Sequence, residues 1–192
     1  MREKGLANTT TKAIAAEAGC SEALLYKHFT DKQELFLLVL TERMPSVEIP
    51  IENVGRTDLA DTLTELVARL IEFFRQTFPI AGSIFGTPEL LAQHREAVTG
   101  RGFGPRGPLV RVVAYLDAER EAGRVARDVD SESVARALVG AAFHQGFLAA
   151  FEGDRLDDAP GVAAGVVAIV LPSLLPWSEE APSGRGKGHL VG

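Results

Sequence analysis

The chain has 192 residues, 46% of them apolar and 24% charged, which supplies ample material for a core in one or two domains and excludes a wholly disordered protein. A formal net charge of −6 argues against a general coat for nucleic acid, and the single cysteine, Cys20, excludes an intrachain disulfide and a cysteine-rich zinc site. The deficit is uneven, because residues 1–44 hold six basic and six acidic side chains and leave the whole imbalance to the remainder. No secretory signal precedes the first element, so a reducing cytoplasm is the expected compartment.

In chain order, Thr10 to Lys32 (TTKAIAAEAGCSEALLYKHFTDK) comes first and reads as two short helices joined by a tight turn. Thr10 is a good N-cap for a helix over Thr11 to Ala18, and Gly19 tolerates the left-handed backbone that lets the chain turn sharply after it. Ser21 caps a second helix running to about Phe29, with Leu25 and Phe29 on one face. Glu22, Ala23, Tyr26 and Lys27 fall on the opposite side, with Leu24 at its rim. That face suits a DNA major groove: a charge for base edges, a small residue for close approach, and Tyr26 and Lys27 for phosphates or a thymine methyl. The bland alternative is a helical hairpin of the kind many all-α proteins contain. Cys20, in the turn, is expected to be a small buried apolar residue; the sharper reading is a redox-sensitive thiol beside a reading helix.

Thr9 to Leu40 resembles the N-terminal region of the TetR (tetracycline repressor) family of transcriptional regulators. The resemblance is carried by Thr9 to Thr11, Ile14-Ala15, Ala18-Gly19, Ser21, Leu25-Tyr26, His28-Phe29, Lys32 and Leu35. It implies that Thr11 and Lys12 meet phosphates, that Glu22, Ala23 and Leu24 lie near bases, that Tyr26, Lys27 and His28 hold the DNA backbone around them, and that Lys32 reaches a further phosphate. Two positions depart from the family. Glu22 stands where a basic or amide residue is frequent, so it accepts from a cytosine amino group or repels phosphates; Leu24 stands where a small hydroxyl residue is common. The family also has a whole helix before this motif, where this chain has only Met1-Arg2-Glu3-Lys4-Gly5. The expectation is a truncated start that leaves Ile14, Leu25 and Phe29 short of cover.

Beyond the motif the pattern stays helical. Lys32 to Met44 carries Leu35, Phe36, Leu38, Val39 and Leu40 and forms a lever into the body, followed by Pro45 and Pro50. Leu59 to Phe78, with Leu63, Leu66, Val67, Leu70, Ile71 and Phe74 at helical spacing, predicts a long amphipathic helix. Shorter helices are expected at Pro79 to Phe85 and Pro88 to Val98. The Gly-rich run Gly100 to Gly107 lacks the preceding strand of a phosphate-binding loop and reads as a flexible connector. Helices over Leu109 to Ala122, Ser131 to Phe151 and Gly161 to Leu175 complete the body, and no alternating run argues for a sheet. Gly161 to Leu175 is too short for a membrane span and is interrupted by Pro172. Glu179 to Gly192 reads as a flexible tail.

The expected architecture is all-α: a helix-turn-helix DNA-binding domain with connecting helix over residues 1–44, a helical effector-binding and dimerisation domain over 45–178, and a tail over 179–192. In the resembled family the C-terminal body binds small molecules between its helices. Phe73, Phe74, Phe78, Phe85, Phe143 and Phe147 either fill a core, the plain reading for most of them, or line a cavity; the candidates for such a site are Phe74, Phe78, Phe143 and Phe147, with Tyr115 and His144 as polar members, and the plain alternative for His144 is a satisfied core or dimer-contact histidine. A dimer interface is expected from Val139, Phe143, Phe147, Gly161, Gly165 and Ala168, where small residues let a partner helix approach. His28, His94, His144 and His189 show no metal-ligand spacing and no catalytic set emerges, so no metal, cofactor or enzyme activity is expected. The implied partners are double-stranded operator DNA, a small apolar effector and a second copy of the chain, with no membrane. The implied function is a ligand-responsive transcriptional repressor; the competing reading is a helical dimerisation protein that has lost DNA binding.

Overall fold

The computed structural model describes residues 10–29, 35, 47–49, 51–99, 104–153 and 158–176. Among these residues there are seven α-helices, one 3-10 turn and no strand, which bears out the all-α class. The helices are α1 (Thr11–Glu17), α2 (Glu22–His28), α3 (Leu59–Phe85), α4 (Pro88–Thr99), α5 (Gly107–Glu121), α6 (Ser131–Phe151) and α7 (Ala159–Leu174), with the 3-10 turn at Ile51–Asn53. The expected lever Lys32 to Met44 lies outside the described residues except for Leu35, which is helical and buried. The tail Glu179 to Gly192 and residues 100–103 of the Gly-rich run also lie outside them.

Helix α3 is the axis of the body. Asp58 caps it by accepting from the Asp61 N–H at 3.0 Å, and Leu59, Leu63, Leu66, Val67, Leu70 and Ile71 recur at helical spacing on its buried side. It packs most extensively on α6, then on α7, while α5 packs on α6. Val112, Tyr115 and Leu116 of α5, Ala135, Leu138 and Ala142 of α6, and Ala163, Val167 and Leu174 of α7 complete one continuous core. Each fully buried leucine in it contributes about 2 kcal/mol of apolar transfer free energy.

One expectation is corrected here. The helix predicted to end at Phe78, with a separate short helix at Pro79 to Phe85, is a single 27-residue helix with Pro79 inside it. Proline has no amide hydrogen to continue the ladder, which normally ends a helix. Pro79 sits on the exposed side, however, while Thr77 and Ile84 on either side of it are buried, so tertiary packing carries the helix past the break. The other boundaries match the expected ones to within about two residues, and α6 matches at both ends.

One close approach of two helices is made by glycine. A Cβ on Gly146 of α6 would lie 2.5 Å from the Phe74 Cβ and 2.8 Å from the Arg75 amide nitrogen of α3. Only glycine therefore fits this crossing. Helix α6 is also long and apolar enough to cross a membrane by length and composition, but here those residues lie along α3 and α5.

The C-terminal end of α5 is closed by a buried polar cluster. Glu119 is fully buried, and both its carboxylate oxygens accept from Arg124, Nε at 2.6 Å. Arg124 also donates to the Thr57 carbonyl, tying the loop before α3 to the end of α5. Gly123, at φ +78°, makes the turn between them. Burial opposes the charge on Glu119, but the hydrogen bonds from Arg124, with the Tyr115 hydroxyl nearby, outweigh it and hold the carboxyl below its ordinary pKa. Tyr115 lies in the same cluster with its hydroxyl buried and short of a well-formed hydrogen bond. Burial and the adjacent Glu119 push its pKa well above the usual phenol value.

Candidate nucleic-acid interface and aromatic cluster

The N-terminal helix pair forms as its caps dictate. The Thr10 hydroxyl accepts from the Ala13 N–H at 3.1 Å, and the Ser21 hydroxyl accepts from the Leu24 N–H at 3.2 Å. Between them Gly19 stands at φ +65°. Its N–H reaches the Ala16 carbonyl at 3.2 Å and the Cys20 N–H reaches the Ala15 carbonyl at 2.9 Å, the paired pattern that closes a helix through a left-handed residue. Cys20 is half-buried rather than buried, because its place just past this closure leaves part of it at the surface.

Ala15 is buried between the helices, and Ile14, Leu25 and Phe29 are half-buried on the inner side. Outward, Lys12, Ala23, Leu24, Tyr26, Lys27 and His28 are all exposed, with Tyr26 at 53% and Leu24 at 45%. Of the expected contact residues, Lys32 lies outside the described set. Two differ in character from the rest. Thr11 and Glu22 are half-buried, and the Thr11 hydroxyl donates to a Glu22 carboxylate oxygen, with the Tyr26 hydroxyl 3.4 Å from the same Thr11 oxygen. Sequence reasoning missed this contact. The only available signal was the four-residue spacing of Glu22 and Tyr26, which places both on one side of α2.

In the body the structure brings together four of the six expected effector residues. Phe74 stands edge-on to Phe143 with centroids 5.2 Å apart, and Phe78 lies 5.6 Å from Phe143 and 4.9 Å from Phe147. Phe73, one of the phenylalanines expected to fill a core or line a cavity, and Phe151, not singled out from the sequence, extend the row at either end. Aromatic pairs at these separations are favourable beyond their burial. The other two residues are elsewhere. Tyr115 is fully buried in the core beside Glu119, and His144 is exposed on the outer side of α6. The polar members expected in a ligand site are thus not gathered with the phenylalanines. His94 of α4, passed over in the sequence, has a buried Nδ1 without a hydrogen-bond partner, and burial lowers its pKa.

Of the residues expected at a dimer contact, all but Val139 are exposed. Phe143 (48% exposed) and Phe147 lie on α6, where Val139 is half-buried. On α7 Gly161, Ala164, Gly165 and Ala168 are exposed, and Ile169 joins them at 81%. A Cβ on Gly165 would meet nothing within 4 Å, so this glycine serves no packing inside the subunit. Gly161 differs, since a Cβ there would strike the Asp158 carboxylate that caps α7. Its smallness is explained within the chain.

Residues 1–39 match the family model described as bacterial regulatory proteins, tetR family. No curated protein sequence matches the chain. Among solved structures, one described as a TetR-family transcriptional regulator from Mesorhizobium loti superposes with a TM-score of 0.73 at 23% identity, over 90% of each chain. The transcriptional regulator FadR from Bacillus subtilis, solved in complex with stearoyl-CoA, gives 0.61 at 14% identity, over 90% of this chain and 92% of that one. NalD, the secondary repressor of the MexAB-OprM multidrug efflux pump in Pseudomonas aeruginosa, gives 0.56 at 19%, over 90% and 89%. The capped helix pair on an all-helical body defines a helix-turn-helix protein. Its N-terminal segment matches the model of the tetR family of bacterial regulatory proteins, and over 90% of its length the chain shares the fold of the Mesorhizobium loti structure.

Proposed function

We propose that the protein is a cytoplasmic, ligand-responsive transcriptional repressor that binds palindromic operator DNA as a homodimer and is released by a small apolar effector. The observation that carries this reading is the exposed row of Lys12, Ala23, Leu24, Tyr26, Lys27 and His28 on two capped helices, in a chain whose net charge is otherwise negative. A small, neutral reader with outward lysines on an acidic body touches DNA at one place and does not coat it. In this reading residues 1–44 are the reader, residues 45–178 bind effector and partner, and residues 179–192 are a tail. Lys12, Lys27 and Lys32 hold phosphates, Ala23 and Leu24 lie against base edges, and Tyr26 and His28 support the backbone contacts.

For the effector, the row of Phe74, Phe78, Phe143 and Phe147 is the apolar surface such a ligand needs, and the stearoyl-CoA held by the Bacillus subtilis regulator is in keeping with an apolar one. For the dimer, the exposed Gly165, Ala168 and Ile169 of α7 and the exposed Phe143 and Phe147 of α6 are the small and apolar residues that a four-helix contact between two copies requires. Electrophoretic shift of the DNA flanking its own gene tests the whole reading. A discrete salt-sensitive complex with two copies per site is expected. A chain that is dimeric yet shifts no DNA at low salt would instead be a helical dimerisation protein.

A further inference from the structure

We infer that Glu22 acts as an intramolecular stand-in for DNA phosphate, occupying the Thr11 hydroxyl in the free protein so that DNA must displace it; this deepens the DNA-binding reading above and rests on it. The Thr11 hydroxyl donates to the Glu22 carboxylate, and the Tyr26 hydroxyl is 3.4 Å from the same Thr11 oxygen. Thr11 and Tyr26 adjoin the exposed Lys12 and Lys27 in the chain, and Glu22 is the one acidic side chain of α2, which ends in the exposed Lys27 and His28. A carboxylate and a phosphate offer the same thing to a hydroxyl: an anionic oxygen that accepts. A side chain held by that bond cannot give the same proton to DNA. Docking therefore breaks the Thr11–Glu22 bond and leaves a negative charge close to phosphates, a cost that falls on every sequence alike. The contact acts against indiscriminate binding, and an operator must supply base contacts enough to overcome it.

The charge and the bond are separable by substitution. Glu22→Gln removes the charge but keeps an acceptor for Thr11; Glu22→Asp keeps the charge on a stem one methylene shorter, which no longer reaches; Glu22→Ala removes both. Affinity for a short random-sequence duplex is read by fluorescence anisotropy at low salt, with circular dichroism confirming the helix content of each full-length variant. Glu22→Gln is expected to bind about fivefold tighter than the parent from the charge alone. Glu22→Ala is expected to gain at least a further twofold as the hydroxyl is released, and Glu22→Asp to gain about twofold with no change of charge. In a Thr11→Val background the Ala and Gln variants should become equal, since there is no hydroxyl left to hold. Equal gains by Ala and Gln in the parent background, with none by Asp, overturn the inference and leave Glu22 as a repulsive charge only. Weaker binding by Glu22→Ala overturns it in favour of direct readout by Glu22. Binding by none of the proteins removes the DNA-binding reading itself, a result distinct from either.

Discussion

Glu119 and Gly146 show how much a single side chain, or the lack of one, decides in this body. Glu119 is fully buried, so removing its charge leaves Arg124 without its partner and the Thr57 carbonyl with a loosened donor. Because Arg124 keeps part of its surface in water, Glu119→Gln should cost on the order of 2–3 kcal/mol, at the lower end for a broken buried pair. The sign of its pH dependence follows from a carboxyl held below its ordinary pKa. The stabilisation is fully present above the unfolded glutamate's range, about 4.3, and is lost as pH falls through the lower folded value. Thermal melts of the parent should thus fall below about pH 4 more steeply than those of Glu119→Gln; parallel curves would remove this cluster from the acid response. Gly146→Ala should be costly despite alanine's better helix propensity, because its Cβ meets the α3 backbone. A loss of about 2 kcal/mol by chemical denaturation is expected, whereas a neutral or stabilised variant would mean that α3 and α6 separate freely.

The helices explain which elements can touch a partner. On α1 and α2 the outward lysines are expected to add affinity without choosing sequence. Lys12→Ala and Lys27→Ala there, and Lys32→Ala further along the chain, should each weaken binding similarly on all DNA and lower the salt slope by about 1. If all three kept the parent slope, the docking face would be on another side. On α7 the same logic turns on Gly165, where a side chain has open space inside the subunit. Gly165→Leu should therefore fold, with helix content equal or higher since leucine favours helix by about 0.8 kcal/mol over glycine. It should fail to dimerise, because bulk at a close helix contact forces the partners apart. Sedimentation at low concentration reads this directly: a variant that remains dimeric places the contact elsewhere.

Across the whole molecule, regulation requires that the effector prefer the conformation that does not hold DNA, since equal affinity for both shifts nothing. The aromatic row runs along α3 and α6, the two most extensively packed elements of the body, so a ligand inserted there acts on the helices that define its shape. Phe74→Trp and Phe147→Trp should reduce ligand release from DNA more than DNA binding itself. Induction equal to the parent in both variants would place the effector away from this row.

Local chemistry was enough to read the helix pair. Thr10, Gly19 and Ser21 act through bonds to residues within five positions, so their roles as cap, turn and cap follow from identity and spacing alone. The long body helices were equally legible, because their apolar residues recur with the period of the helix. What depended on distant residues was not. Pro79 reads as a helix end until Thr77 and Ile84 are seen buried on either side of it. Gly146 and Gly165 are alike in sequence, yet one is pressed against α3 and the other faces open space. Tyr115 and His144 look like ligand groups by type, but helix rotation puts one in the core and the other outside. Glu22 reads as a face for DNA until Thr11, eleven residues earlier, is found holding it. A residue's type and spacing set what it can bond to, while helix packing sets which of those partners comes within reach.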